Sequence, residues 1–363
     1  MTESSQWLLY GANGYTGRLI AQLAVKRGAR PVLAGRSRAQ VEPLAQQLGC
    51  PWRVFSLEDP AAVAMQLEGV SAVLHCAGPF CDTARPMVDA CLSAHIHYLD
   101  ITGEYEVIEW AREQDGRARA AGVIVMPAVG MDVVPSDCLA ALLARGLPDA
   151  DRLVLALAGP ATLSPGTAHT IWRNIARGGR ARREGKIVHT PAGTDFREIV
   201  FPSGPRPTMP IPWGDIAAAH HTTGIANIEV RLGLLPHQAA MVRRWQWLLP
   251  AAGLAPVQAL GRWWIRRHIS GPGEAELAEG HTEFWGCVSS TTGGVAEATL
   301  ITPNGYRLTA EAAWAIVQRV VGNQIQPGFH TPAEALGGEF IHQLPGTQLQ
   351  WRKGYQKHRE AGL

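Results

Sequence analysis

The chain has 363 residues, of which 46% are hydrophobic and 18% are charged, and its formal net charge is +2. This balance excludes a disordered chain, a collagen-like chain and a coiled coil, and it gives no reason to expect a nucleic-acid partner. The length is sufficient for two hydrophobic cores.

The sequence also indicates a compartment. Its longest apolar runs, such as residues 153–158, are far shorter than the roughly 18–20 residues that span a bilayer. Residues 1–10 lack the charged and then apolar pattern of a signal peptide. The six cysteines form no CxxC pair, which is usual for free thiols in a reducing environment. We therefore expect a cytoplasmic protein.

Short apolar runs alternate with helical patterns over the first third of the sequence, as in a parallel sheet with crossover helices. The predicted strands comprise residues 7–10, 31–34, 52–55, 72–76, 98–101 and 123–126. The predicted helices comprise residues 17–27, 38–48, 60–67, 85–94 and 105–121. Together they predict an α/β domain of the Rossmann type, with a doubly wound parallel sheet.

The first strand leads into the sequence GANGYTG at residues 11–17, and a helix follows at once. Glycines in this position let the backbone approach a pyrophosphate, while the amide groups at the helix start can bind its phosphates. The spacing is GxxGxxG, and the alternative is a fortuitous glycine turn. The cofactor-binding candidates in this loop are Gly11, Asn13, Gly14, Tyr15, Thr16 and Gly17.

The end of the second strand distinguishes between dinucleotides. An NAD enzyme usually has Asp or Glu there, but this strand is followed by Arg36 and Ser37, and the next carboxylate is Glu42. A guanidinium and a hydroxyl can both bind a 2′-phosphate. The sequence therefore favours NADP(H). The alternative for Arg36 is a solvated loop residue.

Polar and turn-forming residues also follow the fourth and fifth strands, at the edge where ligands of open α/β sheets bind. After the fourth strand, the candidates for the nicotinamide side of the cofactor are Ala77, Gly78, Pro79 and Phe80. The fifth strand contributes Tyr98, Asp100 and Glu104. Asp100 and Glu104 are candidates for substrate binding, and capping of the following helix is an equal alternative for Glu104.

Eight segments together resemble the saccharopine dehydrogenase-like reductases, particularly the short bacterial branch with the trans-acting enoyl reductases. They are GANGYTG at 11–17, LAGRS at 33–37, CAGPF at 76–80, HYLDITGE at 97–104, MPAVGMDVVPSD at 126–137, PWGDIAAAHHTTGIANIEV at 212–230, GYRLTAEAA at 305–313 and GFHTPAEALG at 328–337. The resemblance implies an NADP-binding domain, a central α/β domain covering the cofactor cleft, and a C-terminal helix that packs back on the first domain.

The sequence departs from this family in three places. His95 and Met131 stand where relatives tend to have Gly and Phe, and we interpret His95 as a helix-end residue rather than a chemical group. Saccharopine dehydrogenases use a lysine and a histidine, whereas Lys26 is the only lysine in the first domain. A true saccharopine reaction is therefore disfavoured.

A second domain follows a hinge at residues 130–137, where Ser136 is a candidate helix cap. Asp132 in this hinge is a substrate-contact candidate, although holding the turn is the favoured alternative. The predicted strands comprise residues 153–158, 186–189, 195–200, 225–232, 282–290 and 295–302, and the predicted helices comprise residues 169–176, 309–321 and 331–344. A hairpin turn at residues 291–294 indicates a mixed, largely antiparallel sheet.

These patterns divide the chain into an NADP-binding domain at residues 1–130, a substrate and dimerisation domain at 131–308, and C-terminal helices at 309–363. Within the second domain, Asp215 and His221 are pocket candidates, with capping and packing as the alternative. Adjacent histidines and distant cysteines do not describe a metal site, so no metal is expected. The tail from Gln350 is expected to fray.

Residues 237–270 combine four tryptophans with five arginines. The first interpretation is a homodimer contact, and the second is a contact with a membrane surface or a hydrophobic substrate. The third is that the composition is a chance feature of the protein surface.

The leading functional hypothesis is an NADPH-dependent reductase that transfers hydride to an activated C=C bond of a hydrophobic or carrier-bound substrate. Imine reduction and a non-catalytic NADP(H)-binding scaffold are the alternatives. The candidate proton sources are Tyr98, Asp132, Asp215 and bound water.

Overall fold

In the computed structural model, which describes residues 6–353 except residues 160, 161, 175, 177 and 192, the chain forms two sheets. The first sheet has seven parallel strands in the order β3-β2-β1-β4-β5-β6-β15. Its strands, numbered in chain order, are β1 (Trp7–Tyr10), β2 (Val32–Gly35), β3 (Trp52–Val54), β4 (Ala72–His75), β5 (His97–Asp100), β6 (Ile124–Met126) and β15 (Gly328–Phe329). The first six confirm the predicted Rossmann-type order of a doubly wound sheet.

Six helices connect these strands. They are α1 (Tyr15–Lys26), α2 (Arg38–Leu48), α3 (Pro60–Gln66), α4 (Phe80–Ala94), α5 (Tyr105–Glu113) and α6 (Asp115–Ala121). Gly49 and Gly122 end α2 and α6 in the left-handed conformation, as expected of glycine at helix ends. The helix predicted at residues 85–94 begins five residues earlier in the structure, at Phe80, because Pro79 rather than Pro86 stands at its beginning. The predicted helix at 105–121 is interrupted at Gln114.

The second sheet is mixed and largely antiparallel, as predicted. Its main path is β10-β11-β12-β7-β13-β14-β16, and only the β7–β12 pair is parallel among its described pairs. The strands are β7 (Arg152–Ala158), β8 (Gly179–Arg183), β9 (Lys186–Thr190), β10 (Arg197–Phe201), β11 (Gly204–Pro210), β12 (Asn227–Gly233), β13 (His281–Ser289), β14 (Val295–Pro303) and β16 (Gln348–Lys353). The β8–β9 hairpin attaches through β12.

Eight more helices cover or connect this sheet. They are α7 (Val134–Gly146), α8 (Pro165–Asn174), α9 (Asp215–Thr223), α10 (Pro236–Trp245), α11 (Ala255–His268), α12 (Glu274–Glu279), α13 (Gly305–Val321) and α14 (Pro332–Leu336). Single 3-10 helices follow α10 at residues 246–253 and α14 at residues 338–343. The predicted helix at 331–344 is therefore wrong as one element, because Gly337, at φ +76°, separates α14 from the 3-10 turn.

Several ends of predicted elements differ from the structure; the predicted helix at 309–321, for example, begins at Gly305. The predicted helix at 169–176 corresponds to α8, which begins at Pro165, and residue 175 lies outside the described residues. The tail expected to fray from Gln350 forms β16 as far as Lys353, and residues 354–363 also lie outside the described residues. Among the described residues, no helix combines the length and the apolar character needed to cross a bilayer.

The main hydrophobic core joins the two sheets. Leu9 and Leu74 of the first sheet belong to the same buried cluster as Leu155 and Phe284 of the second, and α13 contacts both β4 and β14. Helix α13 returns to the first domain, where Trp314 packs edge-on against Trp7 with ring centroids 6.4 Å apart. The carboxyl ends of the parallel strands are thereby placed beneath loops from the second half of the chain.

Candidate functional site

The glycine loop between β1 and α1 is shaped for close approach of a ligand. A Cβ atom on Gly17 would lie 2.3 Å from the Gly11 carbonyl oxygen, and one on Gly11 would lie 2.8 Å from the Ala77 nitrogen. Gly14, at the N-cap of α1, is exposed, and a Cβ there would meet only the Gly11 oxygen at 3.3 Å. The first turn of α1 has neither an acidic residue nor a side-chain cap. Its amide groups therefore remain available to an anion.

The other loop candidates are fixed around this helix start. Asn13 donates a hydrogen bond from Nδ2 to Gln40 Oε1 at 2.8 Å, which ties the loop to α2. Tyr15 donates from its hydroxyl to the Pro272 carbonyl at 2.7 Å. Thr16 is partly buried in the first turn of α1. The loop is thus held from both sides.

Arg36 and Ser37 follow β2 at the same edge of the sheet. Arg36 is exposed, and its guanidinium has no hydrogen bond or ion pair to another described residue. Ser37 occupies the N-cap of α2, yet its hydroxyl makes no capping hydrogen bond. Two uncommitted donors at this point suit a 2′-phosphate.

The residues after β4 meet the glycine loop directly. The Gly78–Pro79 peptide bond is cis, and α4 begins at Phe80. Thr83 donates to the Ala77 carbonyl at 2.8 Å, which holds the turn against the start of α4. All twelve predicted cofactor residues therefore lie in three neighbouring loops at the carboxyl edge.

The start of α4 differs from that of α1 because a carboxylate already occupies it. Glu104 accepts hydrogen bonds from the amides of Phe80 and Cys81 at 2.9 and 2.8 Å. The expectation for Glu104 needs correction: it caps the preceding helix α4, not the helix that follows it. Phosphate binding at this helix start is therefore blocked.

Asp100 and Tyr98 form a buried pair under the loops. Both are fully buried, and the Tyr98 hydroxyl donates to Asp100 Oδ2 at 2.7 Å. Asp100 Oδ1 accepts from the amides of Thr102 and Ala128, each at 2.9 Å. Burial raises the pKa of Asp100 to about 6 and that of Tyr98 well above its usual range. The pair holds the loops after β5 and β6 together, and the catalytic role of Tyr98 remains a prediction.

Asp132 lies in the loop after β6 and differs from the other acids. Its carboxyl group is partly accessible and has no hydrogen-bond or ion-pair partner among the described residues. It covers Gly103, where a Cβ atom would lie 2.6 Å from Asp132 Oδ2. Burial raises its pKa to about 7. The carboxyl group does not hold the turn, because only its backbone carbonyl is engaged, by Trp213 Nε1 at 2.5 Å.

Two further acids lie behind Asp132. Asp215, at the start of α9, is fully buried, and neither carboxyl oxygen has a hydrogen-bond partner in good geometry. The neighbouring Ser136 hydroxyl donates instead to the Val133 carbonyl at 3.1 Å. Burial raises the pKa of Asp215 well above its usual value, and Asp137 and Asp132 add to this shift. Burial therefore favours the neutral form of Asp215.

Asp137 has a structural environment. It accepts from Thr222 Oγ1 at 2.6 Å and from the Ala333 amide at 2.8 Å, and burial raises its pKa to about 6. It joins α7, α9 and α14. Ser136, expected as a helix cap, lies inside α7, so that expectation was wrong.

The second half of the chain forms a roof over the cofactor loops. The rings of Tyr15 and Tyr306 meet edge-on with centroids 5.0 Å apart, and the Tyr306 hydroxyl accepts from the Ser164 amide at 2.5 Å. Arg173 of α8 pairs with Asp82 of α4 at 2.9 Å. These contacts place α8 beside the turn at residues 77–80.

Three histidines belong to the structure rather than to the roofed site. His221 lies about 9 Å along α9 from Asp215 by helix rise, with its Nε2 3.4 Å from Glu109 Oε1. His95 caps the end of α4 and is exposed at the amino edge, which fits its interpretation as a helix-end residue. Sequence reasoning assigned no role to His75, which is buried, stacks on Tyr10 at 5.5 Å and has its pKa lowered by burial to about 3.

The described residues contain no group of three or more His, Cys, Asp or Glu side chains that could hold a metal ion. All six cysteines are free. The site therefore consists of the glycine loop at residues 11–17, the unpaired donors of Arg36 and Ser37, and the partly exposed Asp132. The exposed N-cap glycine, the uncapped first turn of α1 and the uncommitted Arg36 together fit the pyrophosphate and 2′-phosphate of NADP(H).

The comparisons with known proteins agree with this fit. Residues 7–126 match the model of the saccharopine dehydrogenase NADP binding domain. The trans-acting enoyl reductase of Mycobacterium ulcerans is 32% identical over 141 residues, which is 36% of this chain and 33% of that protein. The saccharopine dehydrogenase-like oxidoreductase of Bos taurus is 26% identical over 152 residues, which is 36% and 35% of the two chains. The matched segments thus span about a third of these relatives.

One solved structure is similar over nearly the full length. The saccharopine dehydrogenase (L-Glu forming) of Saccharomyces cerevisiae has a TM-score of 0.65 at 12% identity, covering 96% of this chain and 100% of that chain. At this identity the similarity shows the fold. The predicted family resemblance, the fold class and the cofactor are confirmed. Residues 7–126 thus match the saccharopine dehydrogenase NADP binding domain, and the chain has the fold of saccharopine dehydrogenase.

Proposed function

We propose that the protein is an NADPH-dependent reductase of activated C=C bonds in hydrophobic substrates, with Asp132 as the proton donor. The observation that carries this proposal is the unpaired, accessible carboxyl group of Asp132, whose pKa is about 7, at the carboxyl edge of the cofactor sheet. The similarity of residues in the first domain to enoyl reductases supports the choice of reaction.

Reduction of a conjugated C=C bond needs a hydride at the β carbon and a proton at the α carbon. A dihydronicotinamide held by the loops at residues 11–17, 36–37 and 77–80 would supply the hydride. The C=C π electrons then form a bond to the proton, which leaves Asp132 as a carboxylate. A carboxyl group with a pKa near 7 is close to half protonated at neutral pH, so it can donate and be recharged from solvent.

The other two candidate acids support Asp132 from behind. Asp215 is fully buried and Tyr98 is committed to Asp100, so neither presents a proton to a substrate in this arrangement. Burial disfavours the charged form of Asp215, and a charged form beside Asp132 would raise the pKa of Asp132 further. We therefore assign both residues to the maintenance of the site.

The charges around Asp132 also favour a hydrophobic substrate. Arg173, the cation of the roof, is engaged by Asp82, and Lys26 lies at the far end of α1. An amino-acid substrate with several carboxylates would meet Asp132, while Arg173 is paired with Asp82 and Arg36 is the expected ligand of the 2′-phosphate. An acyl group attached to a thioester lacks this repulsion.

Substitution of Asp132 by Asn tests the proposal. The change keeps the size of the side chain and removes its proton, so we expect kcat with long-chain enoyl thioesters to fall by about 10²- to 10⁴-fold. NADPH affinity should remain unchanged. In the unsubstituted protein, kcat should decrease as the pH rises through about 7, because the donor must be protonated, and D132N should lack this decrease.

Asp151→Asn is a matched control, since Asp151 is a partly exposed aspartate at the start of the second sheet, away from the cofactor loops. It should leave kcat unchanged. NADPH consumption is followed by absorbance, and NADPH affinity by calorimetry. Turnover of cyclic imines alone would instead support C=N reduction, and NADPH binding without turnover of either class would support a scaffold role.

A further inference from the structure

The segment from Leu235 to His268 leaves an unusual set of side chains in solvent. Eight large apolar residues besides Leu235 are between 40% and 69% exposed, and four of them are tryptophans. The set comprises Met241, Trp245, Trp247, Leu248, Leu254, Leu260, Trp263 and Trp264. The exposed cations of the same segment are Arg243, Arg244, Arg262, Arg266 and Arg267. We call these residues together the basic aromatic surface. Clustered apolar exposure of this kind marks an interaction site.

The two helices of this segment present their exposed residues on outer faces. In α11, Ile265 and Gly261 face inward, and Leu260, Trp263 and Trp264 recur at three- and four-residue spacing on the opposite side. In α10, Ala239 is buried, whereas Met241 and Trp245 lie one turn apart and exposed. Trp247 and Leu248 extend the apolar area between the helices.

The basic aromatic surface is held in place from beneath. A Cβ atom on Gly261 would lie 2.0 Å from the Trp172 ring, so α11 packs tightly on α8. Trp172 Nε1 donates to the Gln258 carbonyl at 3.3 Å, and Gln258 Nε2 donates to the Trp172 carbonyl at 3.0 Å. The outward tryptophans are therefore not needed for attachment to the protein.

The positive charge of the basic aromatic surface distinguishes between a second copy of the chain and a lipid bilayer as its partner. The sequence contains no Asp or Glu between Glu229 and Glu274. A twofold contact between two copies would bring the five arginines of each copy together without an acid from this surface. An anionic bilayer instead attracts each arginine, by roughly fivefold in affinity per cation near the surface, and its interface accommodates tryptophan and leucine.

We propose that the basic aromatic surface binds the headgroup region of anionic lipid bilayers and that α10 and α11 lie in the plane of the membrane. Helix α8 connects this surface to the site, because Arg173 on α8 pairs with Asp82 at the start of α4. The roof of the cofactor cleft would then stand next to the bilayer.

Co-sedimentation of the full chain with vesicles tests this proposal independently of any enzyme activity. At about 0.1 M salt, we expect binding to vesicles with about one third phosphatidylglycerol and at least tenfold weaker binding to pure phosphatidylcholine. Trp263→Ala/Trp264→Ala should weaken binding to the anionic vesicles at least tenfold. Arg262→Ala/Arg266→Ala/Arg267→Ala should weaken it at least as much and reduce its dependence on salt.

The matched control removes the same charge elsewhere. Lys26→Ala/Arg112→Ala/Arg117→Ala changes exposed cations of the first domain. This variant should keep vesicle binding within about twofold, since none of the three residues belongs to the basic aromatic surface. NADPH affinity, measured for every variant, verifies the fold. Failure to sediment with anionic vesicles overturns the proposal, as does equal loss of binding in the control. A dimer in light scattering that dissociates in the tryptophan variant, without vesicle binding, would assign the surface to self-association.

Discussion

Two side chains at the end of β2 lack protein partners in the place where a cofactor phosphate belongs. The Arg36 guanidinium is exposed and the Ser37 hydroxyl does not cap α2. In contrast, Arg38, two residues further on, pairs with Glu42 at 2.9 Å. We therefore expect Arg36 to discriminate between NADPH and NADH.

Arg36→Ala should lower NADPH affinity by about 10- to 100-fold, because a hydrogen bond to a charged group is lost. NADH affinity should change little, because NADH has no 2′-phosphate. Titration calorimetry with both nucleotides measures the difference, with Arg38→Ala as the control. Equal losses for the two nucleotides would remove Arg36 from the phosphate site.

Sequence reasoning found Asp132 but favoured the wrong role for its side chain. A carboxylate in a hinge usually accepts backbone amides, yet only the backbone carbonyl of Asp132 is engaged. Its raised pKa depends on burial by the roof, which comes from residues about 80 positions later in the chain. A local pattern carries no information on such burial. Glu104 was misjudged for the same reason, since its partners lie 23 and 24 residues earlier.

At the level of elements, the glycine loop shows two different requirements for glycine. Gly17 is required for close packing of α1, because its Cβ would lie 2.3 Å from a backbone oxygen. Gly14 has φ −70°, and its Cβ would meet only the Gly11 oxygen, in a slightly short contact at 3.3 Å. The absence of a side chain at position 14 therefore leaves the backbone open to a ligand.

We therefore expect Gly17→Ala to lower the free energy of unfolding by about 1–3 kcal/mol, as overpacking does. Gly14→Ala should change the unfolding free energy of the apoprotein by less than about 0.5 kcal/mol but weaken NADPH binding. Chemical denaturation and NADPH titration of both variants separate the two effects. A destabilised Gly14→Ala apoprotein would contradict this distinction.

The strands of the first domain could be predicted to within one or two residues because apolar runs and glycine helix ends agree there. Four strands were missed for identifiable reasons. Strand β8, with the sequence GRARR, has no apolar run. Strand β15 has only two residues, and β11 contains Pro205, Pro207 and Pro210, which argue against a strand. Strand β16 lies in a polar tail, where its pairing with β14 supplies the order. Tertiary pairing, not local propensity, forms all four.

For the whole molecule, the shared core predicts cooperative unfolding. Leu9 and Leu155, from different sheets, belong to one buried cluster, and Asp137 joins α7, α9 and α14. We expect one thermal transition with the same midpoint by circular dichroism and by tryptophan fluorescence. Nine of the twelve tryptophans follow residue 130, so fluorescence mainly reports the second half.

We expect NADPH to bind to loops of the first domain. At about 100 times its Kd it should still stabilise the whole chain by about 2.7 kcal/mol, so the midpoints of both signals should rise together. Two separated transitions, with only one raised by NADPH, would show that the domains unfold independently.

Strand β15 has a consequence for how the protein is made. It pairs with β6, which otherwise forms the open edge of the first sheet, and it arrives about 200 residues later in the chain. During synthesis, the nucleotide-binding half emerges first with its β6 edge unpaired, and such edges invite pairing with other chains. The β6 edge is covered only after the roughly 200 residues between β6 and β15 have also left the ribosome.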